Sequence, residues 1–162
     1  MARDFSLGPI KTPLAPLERF AQFLQSRGKR ITAQRRLIVQ QVFSHHDHFD
    51  ADELMAHLQT QIAGRKLSRP TVYRTLAELV EASLLRKMDL GGRGVIEHDY
   101  GYPRHDHLHC EICNQLFEFQ SDALERLRDT VAQKHHFQVL GHRMFITGIC
   151  ANCRKRQKKE SR

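Results

Sequence analysis

Tryptophan is absent from this chain of 162 residues, and aromatic residues make up only 7% of it. Any core must therefore be mostly aliphatic, together with nine phenylalanines. Long apolar runs are missing too. Nothing approaches the roughly 18–20 consecutive apolar residues of a membrane-spanning helix. The opening Met1-Ala-Arg-Asp-Phe5 has no apolar stretch of the kind that forms a signal peptide, which points to a cytoplasmic protein. Catalytic signatures are lacking as well. There is no Ser nucleophile elbow, no Gly-rich phosphate loop and no His-Glu-x-x-His helix. His-x-Glu ahead of a Pro-Cys-x-x-Cys, the mark of zinc deaminases, is also not found. A non-enzymatic role is expected.

Cysteine is scarce but organised. All four cysteines lie in two hooks, Cys110-Glu-Ile-Cys113 and Cys150-Ala-Asn-Cys153. Four thiolates in two short hooks make a closed tetrahedral set, the requirement of a structural Zn²⁺ site. Disulfides or a redox pair are the competing reading, disfavoured in a reducing cytoplasm. The stretch between the hooks is too long for one finger loop and suits a strand, a helix and another strand stapled at their ends.

Net charge is +8, unevenly spread. Residues 1–96 carry 15 Lys/Arg against 9 Asp/Glu, residues 97–153 carry 5 against 8, and residues 154–162 carry 6 against 1. A basic first half suits a polyanion, and an acidic, His-rich second half suits a cation.

The spacing of apolar residues divides the chain into a proline-containing lead-in (1–16), a helical unit ending in a hairpin (17–96), a small α/β unit (97–153) and a basic tail (154–162) without expected structure. Helical spacing begins at Leu17 with Phe20, Phe23 and Leu24, and stops near Gly28. Thr32 is placed to cap a second helix through Leu37, Ile38 and Val42. Asp50 is placed to cap a third, with Leu54, Leu58 and Ile62, ended by Gly64. Ser68 caps a fourth from Arg69 to about Ala82, with Pro70 tolerated in its first turn. Leu84–Met88, a turn at Gly91-Gly92-Arg93-Gly94 and Val95–Glu97 read as a β-hairpin. Helices followed by a hairpin are the order of a winged helix-turn-helix. Its fourth helix exposes Arg69, Thr71, Tyr73 and Arg74 for phosphates and base edges, over a core stripe of Val72, Leu76, Leu79 and Val80. Beyond residue 97, paired strands near Leu108–Cys110 and Leu116–Phe119, a helix from Ser121 or Asp122 to about His136, and one long or two bent strands over Phe137–Ile149 are expected. The fold class is thus α+β, an N-terminal winged helix followed by a small α/β domain.

Eleven histidines cluster, at His45, His46 and His48 and again at His98, His105, His107 and His109. His105 and His107 project from one face of a strand and Asp106 from the other, so one strand can feed two metal sites. Imidazole with carboxylate suits Zn²⁺, Fe²⁺, Mn²⁺ or Ni²⁺. A metal-storage protein or metalloenzyme is the alternative outside DNA binding.

With these residues in place, the chain resembles the ferric uptake regulator family of metal-responsive repressors. The resemblance rests on Ile31-Thr-Ala-Gln-Arg35, His48-Phe-Asp-Ala-Asp-Glu-Leu54, Thr71-Val-Tyr-Arg-Thr-Leu76, His105-Asp-His-Leu-His-Cys110 and Cys150-Ala-Asn-Cys153. It implies a homodimer that binds an A·T-rich palindromic operator when metal-loaded, with Arg35 joining the DNA-binding residues. It implies structural zinc at Cys110, Cys113, Cys150 and Cys153. It implies a regulatory ion at His48, Glu97, His105, His107 and Glu118, joining the two domains, and a further site at Asp106, Glu125 and His142. Two departures stand out. Arg104 replaces a family histidine and brings a positive charge to the further site. The stretch from Glu97 to His105 is about one residue longer than usual, so His98 or Asp99 is an alternative to Glu97. Zinc-sensing relatives put a cysteine in the regulatory site and peroxide-sensing relatives favour Asp at the position of Glu118. With its cysteines already committed and Glu at 118, the chain is expected to answer to Fe²⁺ and control iron acquisition. Peroxide, Mn²⁺ or Zn²⁺ responses are the alternatives.

Overall fold

The computed structural model describes residues 10–44, 48–61, 67–90 and 92–160. His45, His46, Ile62, Gly64 and Gly91 lie outside the described residues, as do the ends of the lead-in and tail. The chain divides between Pro103 and Arg104 into two compact units. That division falls beyond the expected residue 96, because the hairpin's second strand continues to His98 and the following turn bonds back to the N-terminal unit, with the Asp99 amide donating to the Leu84 carbonyl at 3.1 Å.

The N-terminal unit holds α1 (Pro16–Ser26), α2 (Ala33–Val42), α3 (Ala51–Gln61), α4 (Arg69–Glu81) and the antiparallel pair β1 (Leu85–Leu90) and β2 (Arg93–His98). Each helix begins where the chemistry of its first residues dictates. Thr32 accepts from the Arg35 amide, Asp50 Oδ1 from the amides of Asp52 and Glu53, and Ser68 Oγ from the Thr71 amide. These bonds satisfy orphan helix N–H groups, each cap being worth about 1 kcal/mol. Phe20 and Leu24 of α1, Ile38 and Val39 of α2, Leu58 of α3, and Val72 and Leu79 of α4 share one core. Each such aliphatic side chain contributes roughly 1.5–3 kcal/mol on burial. The α4 stripe is polar in part: Thr75 and Glu78 are buried with Val72, Leu76 and Leu79, while Val80 is only half-buried. Asp89 accepts from the Gly92 amide at the hairpin turn, where Gly92 has φ of 93°. The lead-in is ordered over its described part. The Ile10 amide donates to the Gly101 carbonyl, and the Tyr100 hydroxyl donates to the Leu14 carbonyl.

The C-terminal unit is a three-stranded sheet in the order β4-β3-β5 with two helices. Strand β3 (Asp106–Cys110) pairs antiparallel with β4 (Leu116–Phe119) and parallel with β5 (Phe145–Gly148). Helix α5 (Asp122–Lys134), capped by Ser121, provides the crossover. Two expectations are corrected. The stretch 137–144 is not strand, because the register with β3 begins only at Phe145, opposite His107. The basic tail is helical, α6 running Ala151–Glu160 from the second cysteine hook.

Candidate metal centres and nucleic-acid interface

The tight turn after β3 and the start of α6 bring the two hooks together. One sulfur from each of Cys110, Cys113, Cys150 and Cys153 lies within 4.8 Å of the others, and none is in a disulfide. Cys113 Sγ and Cys150 Sγ are 3.9 Å apart. Two thiolates on a tetrahedral ion with legs of about 2.3 Å stand about 3.8 Å apart, whereas a disulfide requires about 2.0 Å. The donors fit zinc. The Cys150 amide donates to Cys110 Sγ and, with the Cys113 amide, holds that thiol down to about 6. The Gln115 amide favours the Cys113 thiolate, but burial and the hydrogen-bonded thiols of Cys110, Cys153 and Cys150 outweigh it and push Cys113 up to about 11. Arg156 donates to Cys153 Sγ at 3.0 Å and sets a positive charge against the thiolates. No sequence signal separates Arg156 from the other basic residues of the tail.

A second group of donors lies across the same sheet. The register pairs His107 directly with Glu118, and His105 lies two residues before His107. His105 Nε2 is 3.1 Å from His107 Nε2 and 3.7 Å from Glu118 Oε1. Two imidazole nitrogens converging this closely fit adjacent positions on one ion, since metal–nitrogen bonds of about 2.0–2.1 Å span about 3 Å between ligands. His107 is 3% exposed and stacks on Phe145 with centroids 5.0 Å apart.

In the N-terminal unit, His48 and Glu97 are neighbours for a backbone reason. Phe49 and Ile96 form an antiparallel bridge, with N–H···O distances of 3.2 and 2.8 Å, so the residues beside them meet. His48 Nε2 is 3.6 Å from Glu97 Oε2. The two alternatives to Glu97 have contacts of their own, and Arg86, which reaches Asp99, also lies 3.8 Å from Glu97 Oε1. His98 Nε2 contacts the Val42 carbonyl at 3.0 Å and its ring lies between Phe43 and Phe49, while Asp99 pairs with Arg86.

Of the three residues expected at a further site, Asp106 and His142 meet, with His142 Nε2 3.1 Å from Asp106 Oδ2. Glu125 is exposed in the first turn of α5. The positive neighbour is Arg128 rather than Arg104. Arg128 Nη1 donates to His142 Nδ1 at 3.0 Å, whereas Arg104 is exposed and its carbonyl accepts from Gln120.

On α4 the candidate DNA-binding residues divide by role. Tyr73 is 47% exposed and Arg74 is exposed. Arg69 pairs with Asp52 at 2.7 Å, and the Tyr73 hydroxyl reaches the same carboxylate at 3.3 Å. Both contacts are solvent-accessible and weak enough to be exchanged for phosphate. The Thr71 hydroxyl is spent on Ser68. Arg35 is engaged inward, its Nη2 on both Glu78 oxygens at 2.9 and 2.7 Å. Arg93 ties the turn end of the hairpin to the start of α3 through Asp50 and Glu53. A buried Glu on a helix stripe carries no periodicity signal, so sequence reasoning missed Glu78.

The profile of the ferric uptake regulator family matches residues 26–147. The chain belongs to that family. A ferric uptake regulation protein of Campylobacter upsaliensis is 30% identical over 142 residues, 88% of this chain and 91% of that protein. The peroxide-responsive repressor PerR of Staphylococcus epidermidis is 28% identical over 139 residues, 86% of this chain and 91% of that protein. The crystal structure of the Vibrio cholerae ferric uptake regulator aligns with a TM-score of 0.67 at 30% identity, covering 80% of this chain and 98% of that one. Ferric uptake regulators are metal-responsive transcription regulators, and the two donor groups and the α4 surface are the parts such a regulator needs.

Proposed function

We propose that this protein is a homodimeric, metal-dependent repressor that responds to Fe²⁺ in the cytoplasm, controls iron acquisition genes and binds an A·T-rich palindromic operator. The convergence of His105, His107 and Glu118 carries the reading, because three such donors across one strand pair bind a divalent ion reversibly near neutral pH. His48 and Glu97 complete the proposed ligand set. Drawing ligands from both units, one ion makes their mutual orientation depend on metal, and with it the presentation of α4. Cys110, Cys113, Cys150 and Cys153 hold zinc permanently, since a tetrathiolate set leaves no open position. Arg69, Tyr73 and Arg74 meet the operator, Tyr73 by stacking or hydroxyl and the arginines at phosphates or guanine edges. Thr71 and Arg35 act indirectly, by fixing the start of α4 and its carboxylate Glu78.

The surface of β5 supports the homodimer in this reading. Every residue of β5 is exposed, and Leu108, Ile146 and Ile149 are each more than 40% exposed. An apolar face with a strand edge unpaired among the described residues suits a self-complementary two-fold contact.

The test is operator binding by zinc-loaded protein during an anaerobic Fe²⁺ titration, read by fluorescence anisotropy. Wild type binds tightly only with Fe²⁺, and His107→Ala stays a folded dimer but loses the metal-dependent gain. Unchanged metal dependence in His107→Ala refutes the ligand assignment. The likeness to the peroxide-responsive repressor motivates a second reading in the same experiment. A peroxide pulse that abolishes binding and oxidises His48 or His107 moves the signal from iron to peroxide.

A further inference from the structure

Asp106 is a buried carboxylate, 4% exposed, that faces an imidazole, yet each of its oxygens and both nitrogens of that ring already have partners. Asp106 Oδ1 accepts from the Met144 amide at 2.9 Å, and Asp106 Oδ2 lies 3.1 Å from His142 Nε2. On the far side of the ring, Arg128 Nη1 is 3.0 Å from His142 Nδ1. A guanidinium has only donors, so Nδ1 accepts, and Nε2 therefore carries the proton it gives to Asp106. Arg128 is steadied in turn by Asp129, whose Oδ1 is 2.7 Å from Arg128 Nε.

We infer that Arg128 stands where a metal ion would otherwise balance this carboxylate, so that Arg128, His142 and Asp106 form a metal-free tether and the chain takes no ion at Asp106, Glu125 and His142. The chemistry is exclusive. An ion needs a lone pair on the imidazole, and Arg128 uses the one that the ring has left. It also needs to approach a guanidinium that keeps its charge at every accessible pH. The tether does what a structural ion does. It joins α5, the stretch before β5 and β3, and the Met144 amide on Asp106 sets where β5 begins. Since His107 pairs with Phe145, the start of β5 bears directly on one proposed regulatory ligand.

Native mass spectrometry of the zinc-loaded protein in excess Mn²⁺ tests this by the difference in dications per chain between variants, which does not depend on how many ions the proposed regulatory site takes. Arg128→Ala lets the imidazole proton move to His142 Nδ1, opening Nε2 beside Asp106, and gains one Mn²⁺ over wild type. Arg128→Ala/His142→Ala returns to the wild-type number, and Arg128→Lys, which keeps the charge, stays at it. The thermal midpoint of Arg128→Ala falls without Mn²⁺ and recovers with it. Should Arg128→Ala not fold, Arg128→Gln carries the same expectation. Wild type losing an ion on His142→Ala, or neither neutral variant gaining one, overturns the inference.

Discussion

Glu78 is the residue on which the N-terminal unit depends most unexpectedly, and Glu78→Gln measures how much. It is 5% exposed on α4, and two cations converge on it: Lys29 at 2.7 Å and Arg35 at 2.7 and 2.9 Å. Gln preserves the shape and removes the charge, leaving Arg35, whose side chain is 15% exposed, facing a neutral amide. Breaking a buried pair from one side typically costs about 3–5 kcal/mol, because the remaining charge stays desolvated. Here the cost is smaller. Lys29 is 46% exposed and turns to water, and Arg35 keeps its bond to the Arg30 carbonyl at 3.1 Å. A loss of about 2–3 kcal/mol follows. Urea unfolding followed by circular dichroism reads it. In a double-mutant cycle with Arg35→Gln, a coupling of about 2 kcal/mol is expected, near the upper end of the range for directly bonded groups. Metal-dependent DNA binding of Glu78→Gln should weaken only as far as the unit unfolds. Losses below about 0.5 kcal/mol for both single variants, with no coupling, would reduce the cluster to an ordinary surface ion pair and refute the reasoning.

Three further outcomes are expected. Cys110→Ser loses bound zinc, measured by elemental analysis, and unfolds at lower temperature, because metal-binding free energy is part of folding free energy here; a zinc-free variant as stable as wild type contradicts the assignment. Asp50→Ala costs about 1 kcal/mol at neutral pH through loss of the α3 cap. The Glu53 amide and Arg93 hold the Asp50 carboxyl below its ordinary value. Its contribution is therefore full above the ordinary carboxylate pKa and is lost as pH falls through the lowered one, so the gap between wild type and Asp50→Ala closes in acid and stays constant above it. Gly92→Ala places a side chain at φ of 93° where no atom lies within 4 Å of the added Cβ. The cost is purely conformational, about 1–2 kcal/mol, and shows as faster amide exchange in β1 and β2 with no change in bound zinc.

How far the sequence could be read depended on whether an element carries its own signal. Thr32, Asp50 and Ser68 announce their helices because a cap is local chemistry, and all three side chains bond the amides expected of them. The cysteine hooks announce themselves by spacing. By contrast, Phe137–Ile149 has strand-like alternation along most of its length, but strand forms only over the four residues that β3 can pair, Phe145–Gly148. Helix α6 was illegible for the opposite reason. A ten-residue basic segment is marginal as an isolated helix, and what holds it is tertiary: Cys153 is 1% exposed and its sulfur lies within 4.8 Å of those of Cys110 and Cys113. Glu78 and Arg128 were missed because a charged residue on a helix reads as solvated until its partners, 43 and 14 residues away in sequence, are known.

Strand β3 and the residue before it explain how one short segment serves two purposes. Side chains alternate across a strand, so His105 and His107 face Glu118, while Asp106 faces His142. Both faces gather donors fit for a dication, and on the Asp106 face Arg128 already holds the imidazole. A guanidinium fixed on α5 is a cation that never dissociates, so the Asp106 face is independent of metal supply. On the other face His105, His107 and Glu118 converge on one another, the donor set that the proposed function gives to an exchangeable ion. Reversible response thus requires that only one of the two faces exchange its cation. On this reasoning His142→Ala and His107→Ala differ in kind. The first lowers stability equally with and without Fe²⁺, and the second, beyond the packing lost on Phe145 in both conditions, lowers it further in Fe²⁺, a contrast that thermal unfolding at the two metal conditions can deny by showing the same dependence for both.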